Sequence, residues 1–337
     1  MLPQLARIVL TAALLPLVPR VAGSEAPKAA VIVVAVADMF SAPDESADVV
    51  SQAPLGANVA ILEARNAAGG TGWFRIETPD TYQGWIEGKS LRPIAEGERP
   101  YAAEGPVFEV SGLFAYIYAE SDVAKRKPVM TATIGARLAA GTCGDRWCEI
   151  VLPSGMKGWI QKGDGGVRDA AAPVKKLTPD ETVALAKRFL GLPYLWGGTT
   201  PFGLDCSGFV QLLYRLSGIG IQRDADLQMN RSGLAAVAAG AEEPRDLVFF
   251  GPAADRITHV GMMVGRTEFI NATTHDRPVV QISDLGDPYW RNLYRGARRP
   301  QEPDQGPELR PCPCPWPWAG RFFWPLCPCP SFSWSSS

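Results

Sequence analysis

Histidine is scarce in this chain. Of 337 residues only His259 and His275 carry an imidazole, so a reaction needing that base near neutral pH has two candidates. An excess of charge of one sign is also missing. Lys and Arg number 33 against 35 Asp and Glu, a net charge of -2, and overall balance gives no case for a polyanion-binding surface. Beyond the first 24 residues no apolar window reaches membrane-span length. Residues 1–24 themselves hold Arg7, the run Ile8 to Val18 and the small residues Ala22-Gly23-Ser24, the layout of a secretory signal. An uncleaved anchor is the alternative, although the run is short and broken by Pro16. The mature chain is therefore expected to be soluble and exported, periplasmic or extracellular.

Metal-type cysteine spacing is absent too. Cys312-Pro313-Cys314 and Cys327-Pro328-Cys329 each leave one residue between thiols, whereas zinc ribbons and fingers leave two to four. Proline at this density blocks helix and sheet alike, so residues 300–337 read as a disordered Pro/Cys/Trp-rich tail, and neither metal nor cofactor is expected. Cys143 and Cys148 flank Gly144-Asp145-Arg146-Trp147, a hairpin turn across which a disulfide could form after export. The register of that turn is not fixed by sequence, so the pairing stays open.

The seventh cysteine, Cys206, lies where a Gly/Pro-rich loop becomes an apolar helix. Phe209, Leu212, Leu213 and Leu216 recur at helical spacing, predicting a helix from about Asp205 to Ser217-Gly218. Cys206 then occupies the first turn, where free backbone N–H groups and the helix dipole favour a thiolate. A buried structural cysteine is the competing reading. A nucleophile needs a base, and His259 sits in Ile257-Thr-His-Val-Gly-Met-Met-Val-Gly265, a short apolar run read as a strand. Alternation puts Val260, Met262 and Val264 on one face and His259, Gly261 and Met263 on the other. The next strand, Glu268 to Thr273, carries Asn271, a polar residue able to orient the His259 ring.

Upstream, residues 28–95 and 104–168 are β-rich and repeat each other. Trp73, Ile76 and Gly84-Trp85-Ile86 recur as Trp147, Ile150 and Gly158-Trp159-Ile160 at a constant offset of 74. This predicts two small β-barrels, with Trp85 and Trp159 expected in their cores. Downstream, Thr178-Pro179-Asp180-Glu181 is a capping box opening a helix that ends at Gly191, with Val183, Ala186 and Leu190 on its buried face, flanked by Leu185 and Phe189. Four strands, Asp246–Phe250, Ile257–Val264, Glu268–Ala272 and Val279–Ile282, are expected to form an antiparallel sheet against the Cys206 helix, an α+β arrangement.

The ordered series Pro193-Tyr194-Leu195-Trp196-Gly197-Gly198, Asp205-Cys206-Ser207-Gly208, Arg223-Asp224-Ala225, Asp246-Leu247-Val248-Phe249-Phe250, His259-Val260-Gly261 and Phe269-Ile270-Asn271 resembles the NlpC/P60 family of papain-like cysteine peptidases over about residues 178–299. The paired Trp-x-x-Ile and Gly-Trp-Ile motifs are similar to bacterial SH3 (SH3b) domains. The resemblance implies a catalytic domain at 172–299, Cys206 as nucleophile, His259 as base and Asn271 as the third polar residue. That last position is commonly His in the family; Asn can orient a neutral ring but carries no charge. Cys206 N–H and the Tyr194 hydroxyl are candidate oxyanion donors.

Two SH3b domains ahead of such a domain resemble the γ-D-glutamyl-L-diamino-acid endopeptidases that act on peptidoglycan stem peptides with a free N-terminal L-Ala. This likeness implies that Asp205, Ser207 and Asp224 receive the amine and that Tyr82 of the first barrel walls the cleft, with Trp196 also on the substrate side. Ala225 stands where the group often has a hydroxyl residue. A non-catalytic cell-wall binding protein and an amide or acyl transferase are the alternatives on the same fold. Neither nucleic acid nor a stable membrane span is expected as a partner.

Overall fold

A computed structural model describes residues 28–66, 72–125 and 127–301; the expected signal at 1–24 and the tail beyond 301 lie outside the described residues. The first lobe comprises β1 (Ala29–Ile32), β2 (Val36–Phe40), β3 (Val49–Pro54), β4 (Asn58–Arg65), β5 (Trp73–Glu77), β6 (Gln83–Glu87) and β7 (Leu91–Pro93). The second comprises β8 (Pro106–Val110), β9 (Phe114–Tyr118), β10 (Met130–Thr133), β11 (Arg137–Cys143), β12 (Trp147–Val151), β13 (Lys157–Gln161) and β14 (Gly165–Asp169). The sheet orders, β3-β2-β6-β5-β4-β1-β7 and β10-β9-β13-β12-β11-β8-β14, are the same order seven strands later. The offset read from the tryptophans is thus a repeat of topology.

The packing explains the Gly-Trp-Ile motif and corrects one expectation drawn from it. With side chains alternating along a strand, Gly and Ile point inward and Trp outward. Ile86 and Ile160 are fully buried members of the two cores. Trp85 is buried as well, at 7% exposure, and carries the Arg65 guanidinium 4.7 Å from its ring centre, whereas Trp159 is only half-buried and departs from the expectation. The inward glycines leave room for the crossing strand. A Cβ on Gly84 would stand 3.0 Å from the Met39 Cβ, and one on Gly158 would stand 2.6 Å from the Ile117 Cγ2.

Cys143 and Cys148 are disulfide-bonded directly across β11 and β12. A one-residue shift between Ala140 and Cys143 brings them opposite each other.

The third lobe begins with α1 (Pro179–Lys187), whose N-cap Thr178 and Glu181 form both bonds of the capping box. The helix ends at Lys187 and passes into turns, so the expected continuation to Gly191 does not occur. That tightening rotates Phe189 inward to full burial and leaves Leu190 43% exposed, reversing the buried role expected for Leu190. Next come the short pair β15 (Thr199–Thr200) and β16 (Gly203–Leu204), then α2 (Cys206–Leu216) and α3 (Ala225–Arg231). The sheet is built from β17 (Ala235–Val237), β18 (Leu247–Phe250), β19 (His259–Met263), β20 (Glu268–Thr273), β21 (Val279–Asp284) and β22 (Tyr294–Arg299). Its order is β17-β22-β18-β19-β20-β21, and every pair is antiparallel. The four expected strands are its centre and one edge. The strands β17 and β22 extend it beyond what periodicity showed.

The two faces of this sheet divide as alternation requires. Val260, Met262, Ile270 and Ala272 pack with Phe209 and Leu213 of α2, while Phe250, Met263 and Phe269 pack with Trp290 of α4 (Pro288–Leu293). Among the described residues no helix is long and apolar enough to cross a membrane.

Candidate active site

Asp205 is the N-cap of α2, and its carboxylate organises everything around the first turn. Its Oδ1 accepts from the Gly208 N–H at 2.6 Å and its Oδ2 from the Gly197 N–H at 3.0 Å. Arg223 then adds a fork: Nη2 donates to Oδ2 at 2.6 Å and Nη1 to Oδ1 at 3.1 Å. The same Nη1 donates to Ser207 Oγ at 2.8 Å, and Nε donates to Ser51 Oγ of the first barrel at 3.2 Å. Arg223 is 2% exposed. Burial opposes its charge, but Asp205, Asp224 and Tyr82 together outweigh that and hold its pKa above the ordinary arginine value. Asp205 and Ser207 therefore lie beside Cys206 as expected, with the Asp205 charge already matched by Arg223.

Asp224 is different. It stands at the N-cap position of α3 without a side-chain capping bond, and its one hydrogen bond comes from the Tyr82 hydroxyl at a long 3.4 Å. Burial raises its pKa, with Arg223 pulling the other way, and it keeps acceptor capacity beside Tyr82 of the first barrel. Tyr82 is pushed up to about 12, first by burial and then by the Asp224 charge, so it is a neutral donor. Trp196 is 70% exposed on the loop before β15. Tyr194 is half-buried, and burial together with the neighbouring Cys206 and Asp205 keeps its hydroxyl protonated well above the ordinary range.

The Cys206 thiol is 9% exposed and lies against the backbone N–H groups of Val260 and Ser207. The helix start was expected to lower its pKa. Burial instead pushes the thiol up to about 12, with the Asp205 charge adding to the rise. The N–H groups and Arg223 only partly oppose this. One residue before Val260, His259 is driven the opposite way by the same cause: burial lowers its imidazole to about 4. Thiol and imidazole are both neutral in the resting site.

Asn271, fully buried, fixes the ring. Its Nδ2 donates to Gln281 O at 3.3 Å and to Ser283 Oγ at 3.1 Å, so its Oδ1 is left to accept from His259 Nε2 at 2.9 Å. That assigns the proton to Nε2 and leaves the Nδ1 lone pair as the base. The indole of Trp290 stacks on the imidazole with ring centres 5.0 Å apart. His275 lies in the turn after β20, stacked on Tyr289 at 3.8 Å and outside this hydrogen-bonded set.

Sequence reading did not assign Arg223 as the partner of Asp205, nor Gln228, which is fully buried and donates to Ser207 O at 2.9 Å. Arg223 was visible as part of the Arg-Asp motif, but nothing local specifies pairings 18 and 21 residues apart. Trp290 gave no signal beyond being aromatic.

A cysteine at the first turn of a helix, packed on an antiparallel sheet that carries an Asn-held histidine, is the layout of the papain-like cysteine peptidases. Residues 191–299 match the NlpC/P60 family, and residues 35–92 match the bacterial SH3 domain. A γ-D-glutamyl-L-lysine dipeptidyl-peptidase of Bacillus cereus is 31% identical over 260 residues, 74% of each chain. A dipeptidyl-peptidase 6 of Lysinibacillus sphaericus is 23% identical over 268 residues, 78% of this chain and 94% of that one. The crystal structure of an NlpC/P60 family protein from Bacillus cereus superposes with a TM-score of 0.70 at 26% identity, covering 80% of this chain and 99% of that chain. The chain belongs to the NlpC/P60 family of cysteine peptidases. Its first barrel is a bacterial SH3 domain, and its second shares that barrel's strand order.

Proposed function

We propose that this chain is a cysteine endopeptidase that hydrolyses the γ-D-Glu–L-diamino acid bond of peptidoglycan stem peptides carrying a free N-terminal L-Ala, acting outside the cytoplasm. The observation that carries the reading is the shared wall of the cleft. Tyr82 of the first barrel meets Asp224 of the catalytic lobe beside the Asp205–Ser207 turn that presents Cys206. The relative from Bacillus cereus, whose name specifies γ-D-glutamyl-L-lysine cleavage, aligns over most of both chains.

Cys206 is the nucleophile in this reading. As its sulfur attacks the carbonyl carbon, the thiol proton passes to His259 Nδ1, and the imidazolium formed is held by Asn271 through Nε2–H. The tetrahedral oxyanion receives the Cys206 N–H and the Tyr194 hydroxyl, the latter kept protonated by burial. Imidazolium then gives its proton to the departing amine, leaving a thioester. Water, deprotonated by His259, hydrolyses the thioester and restores the thiol. No step requires a metal or cofactor.

The substrate ammonium is assigned chiefly to Asp224, whose carboxylate has only the long Tyr82 bond, with Ser207 and Asp205 at the rim and Trp196 at the mouth. A carboxylate facing an ammonium in a half-dry cleft favours the free amine. Acetylating that amine removes the charge and adds bulk. The expected cost is at least about 2 kcal/mol, the scale of a charged hydrogen bond, or about thirtyfold in kcat/KM. Rates on L-Ala-γ-D-Glu-L-Lys and its N-acetyl derivative check this; equal rates would mean that the cleft is open at that end and the enzyme acts on intact wall.

The neutral resting pair also sets the acid limb of the pH profile. His259 must be unprotonated to accept the thiol proton, and its folded pKa of about 4 lies below the unfolded 6.5. Activity is therefore expected to persist as pH falls through 6.5 and to be lost only near about 4. Stability has the corresponding sign: the unfolded chain takes up the proton first, so this group destabilises the fold as pH drops below about 6.5 and contributes nothing above it. A kcat/KM profile with its acid midpoint at 6 or above would contradict the buried, neutral imidazole.

A further inference from the structure

Where the two barrels and α2 meet there is a cavity of about 310 Å³. Cys206, His259, Asn271, Tyr194, Tyr82 and Asp224 take no part in its lining. One wall is Leu55 and its neighbours in the first barrel, another is Gly135–Arg137 of the second, and the third is the outward face of α2 with Leu212 and Arg215, continued by Ile221. Its size is at the low end of ordinary ligand cavities, about 300–1,000 Å³.

The polar groups around it are unequally committed. Asp80 accepts from Gln211 Nε2 at 2.8 Å and from Thr78 Oγ1 at 2.5 Å, so its carboxylate is in use. Glu109, close enough to act on Arg215, is paired with Arg168 at 2.9 Å. Arg215 is not committed. Its guanidinium reaches the Gly135 side of the cavity, and among the described residues it has no hydrogen-bond or ion-pair partner. Arg215 is an exposed residue of α2, so its guanidinium is open to solvent and to a ligand, with the Asp80 and Glu109 charges acting on it. On the second-barrel wall, Arg137 is already committed: its Nη2 donates to Ala170 O at 2.5 Å and its Nε lies 3.8 Å from Glu109 Oε2. A guanidinium presents five donors in a planar fork.

We propose that this three-walled cavity is a second, non-catalytic binding site for a small monocarboxylate with a compact apolar body, its carboxylate on the Arg215 fork and its body against Leu55, Leu212 and Ile221. The fork matches a carboxylate in two parallel hydrogen bonds. The apolar wall selects against inorganic anions, which cannot cover it. The acidic neighbours Asp80 and Glu109 select against a second negative charge. Because the walls come from all three lobes, occupancy ties both barrels to the helix that carries Cys206.

The site is tested on the mature full-length protein by calorimetry with N-acetyl-L-alanine and isobutyrate, with N-acetyl-L-alanine amide and inorganic phosphate as controls. Saturable binding of the two carboxylates is expected. Binding should weaken at least about tenfold for the amide and for phosphate, because each lacks half of the required pairing. Arg215→Gln should weaken carboxylate binding at least about tenfold with an unchanged circular dichroism spectrum, and Arg215→Lys should recover part of it. Hydrogen exchange should slow at 54–57 and 135–137 on binding. Absence of saturable binding, equal binding of the amide, indifference to Arg215→Gln, or protection confined to the Cys206 and His259 segments would each overturn the proposal.

Discussion

The Cys206→Ser protein is expected to lose at least about ten-thousandfold in kcat/KM on a stem tripeptide while keeping its circular dichroism spectrum and melting temperature. A hydroxyl is a far weaker acid than a thiol, so His259 could not generate an equivalent nucleophile from it. His259→Ala should be comparably inactive, because the only other histidine of the chain, His275, lies outside the Asn271 hydrogen-bonded set. His275→Ala is the control that separates an assigned base from a merely nearby histidine. It lies in the turn after β20, stacked on Tyr289, and its loss should alter kcat/KM by less than about threefold. Steady-state kinetics on the three variants decides the matter. Substantial activity in Cys206→Ser would rule out the thioester route. A dead His275→Ala enzyme would contradict the assignment of His259 as the base.

The second large effect is structural. Arg223→Met should destabilise the protein by about 3–5 kcal/mol, because it leaves Asp205 charged and nearly buried with its fork partner gone. It also releases Ser207 Oγ and the tie to Ser51 of the first barrel, so the turn bearing Cys206 should lose its fixed position along with the stability. The double variant Asp205→Asn with Arg223→Met should be less destabilised than the sum of the two single changes, since the unpaired charge is removed while an amide oxygen can still cap α2. Denaturant titration of the three proteins measures this. Additive losses, or an Arg223→Met change below about 1 kcal/mol, would show that the pair does not hold the site.

Much of this arrangement was legible in the sequence because it is local. The capping box at Thr178 and Glu181 and the cap at Asp205 each follow from residues a turn apart. Alternation in β19 correctly put Val260 and Met262 against α2, with His259 at the strand's first position, stacked on Trp290. The repeat at offset 74 is likewise a property of spacing alone.

What was not legible depended on the assembled interior. The pKa of Cys206 was read from its helix position, but burial and the Asp205 charge raise it more than the Val260 and Ser207 N–H groups and Arg223 lower it. Trp159 is only half-buried, although its size and apolarity point to the core and its counterpart Trp85 is buried, because the inward positions of the motif belong to the Gly and Ile on either side. The Cys143–Cys148 pairing turned on a one-residue shift within β11, which hydrophobic pattern does not specify. The Arg223–Asp205 fork joins two segments through space, and no periodicity announces it.

The most direct measurement is the identity of the products. The purified chain is incubated with L-Ala-γ-D-Glu-L-Lys and with the corresponding diaminopimelate peptide, and the fragments are weighed by mass spectrometry. The account predicts L-Ala-γ-D-Glu and the free diamino acid. Release of L-Ala, leaving γ-D-Glu joined to the diamino acid, or recovery of both peptides intact, would contradict it.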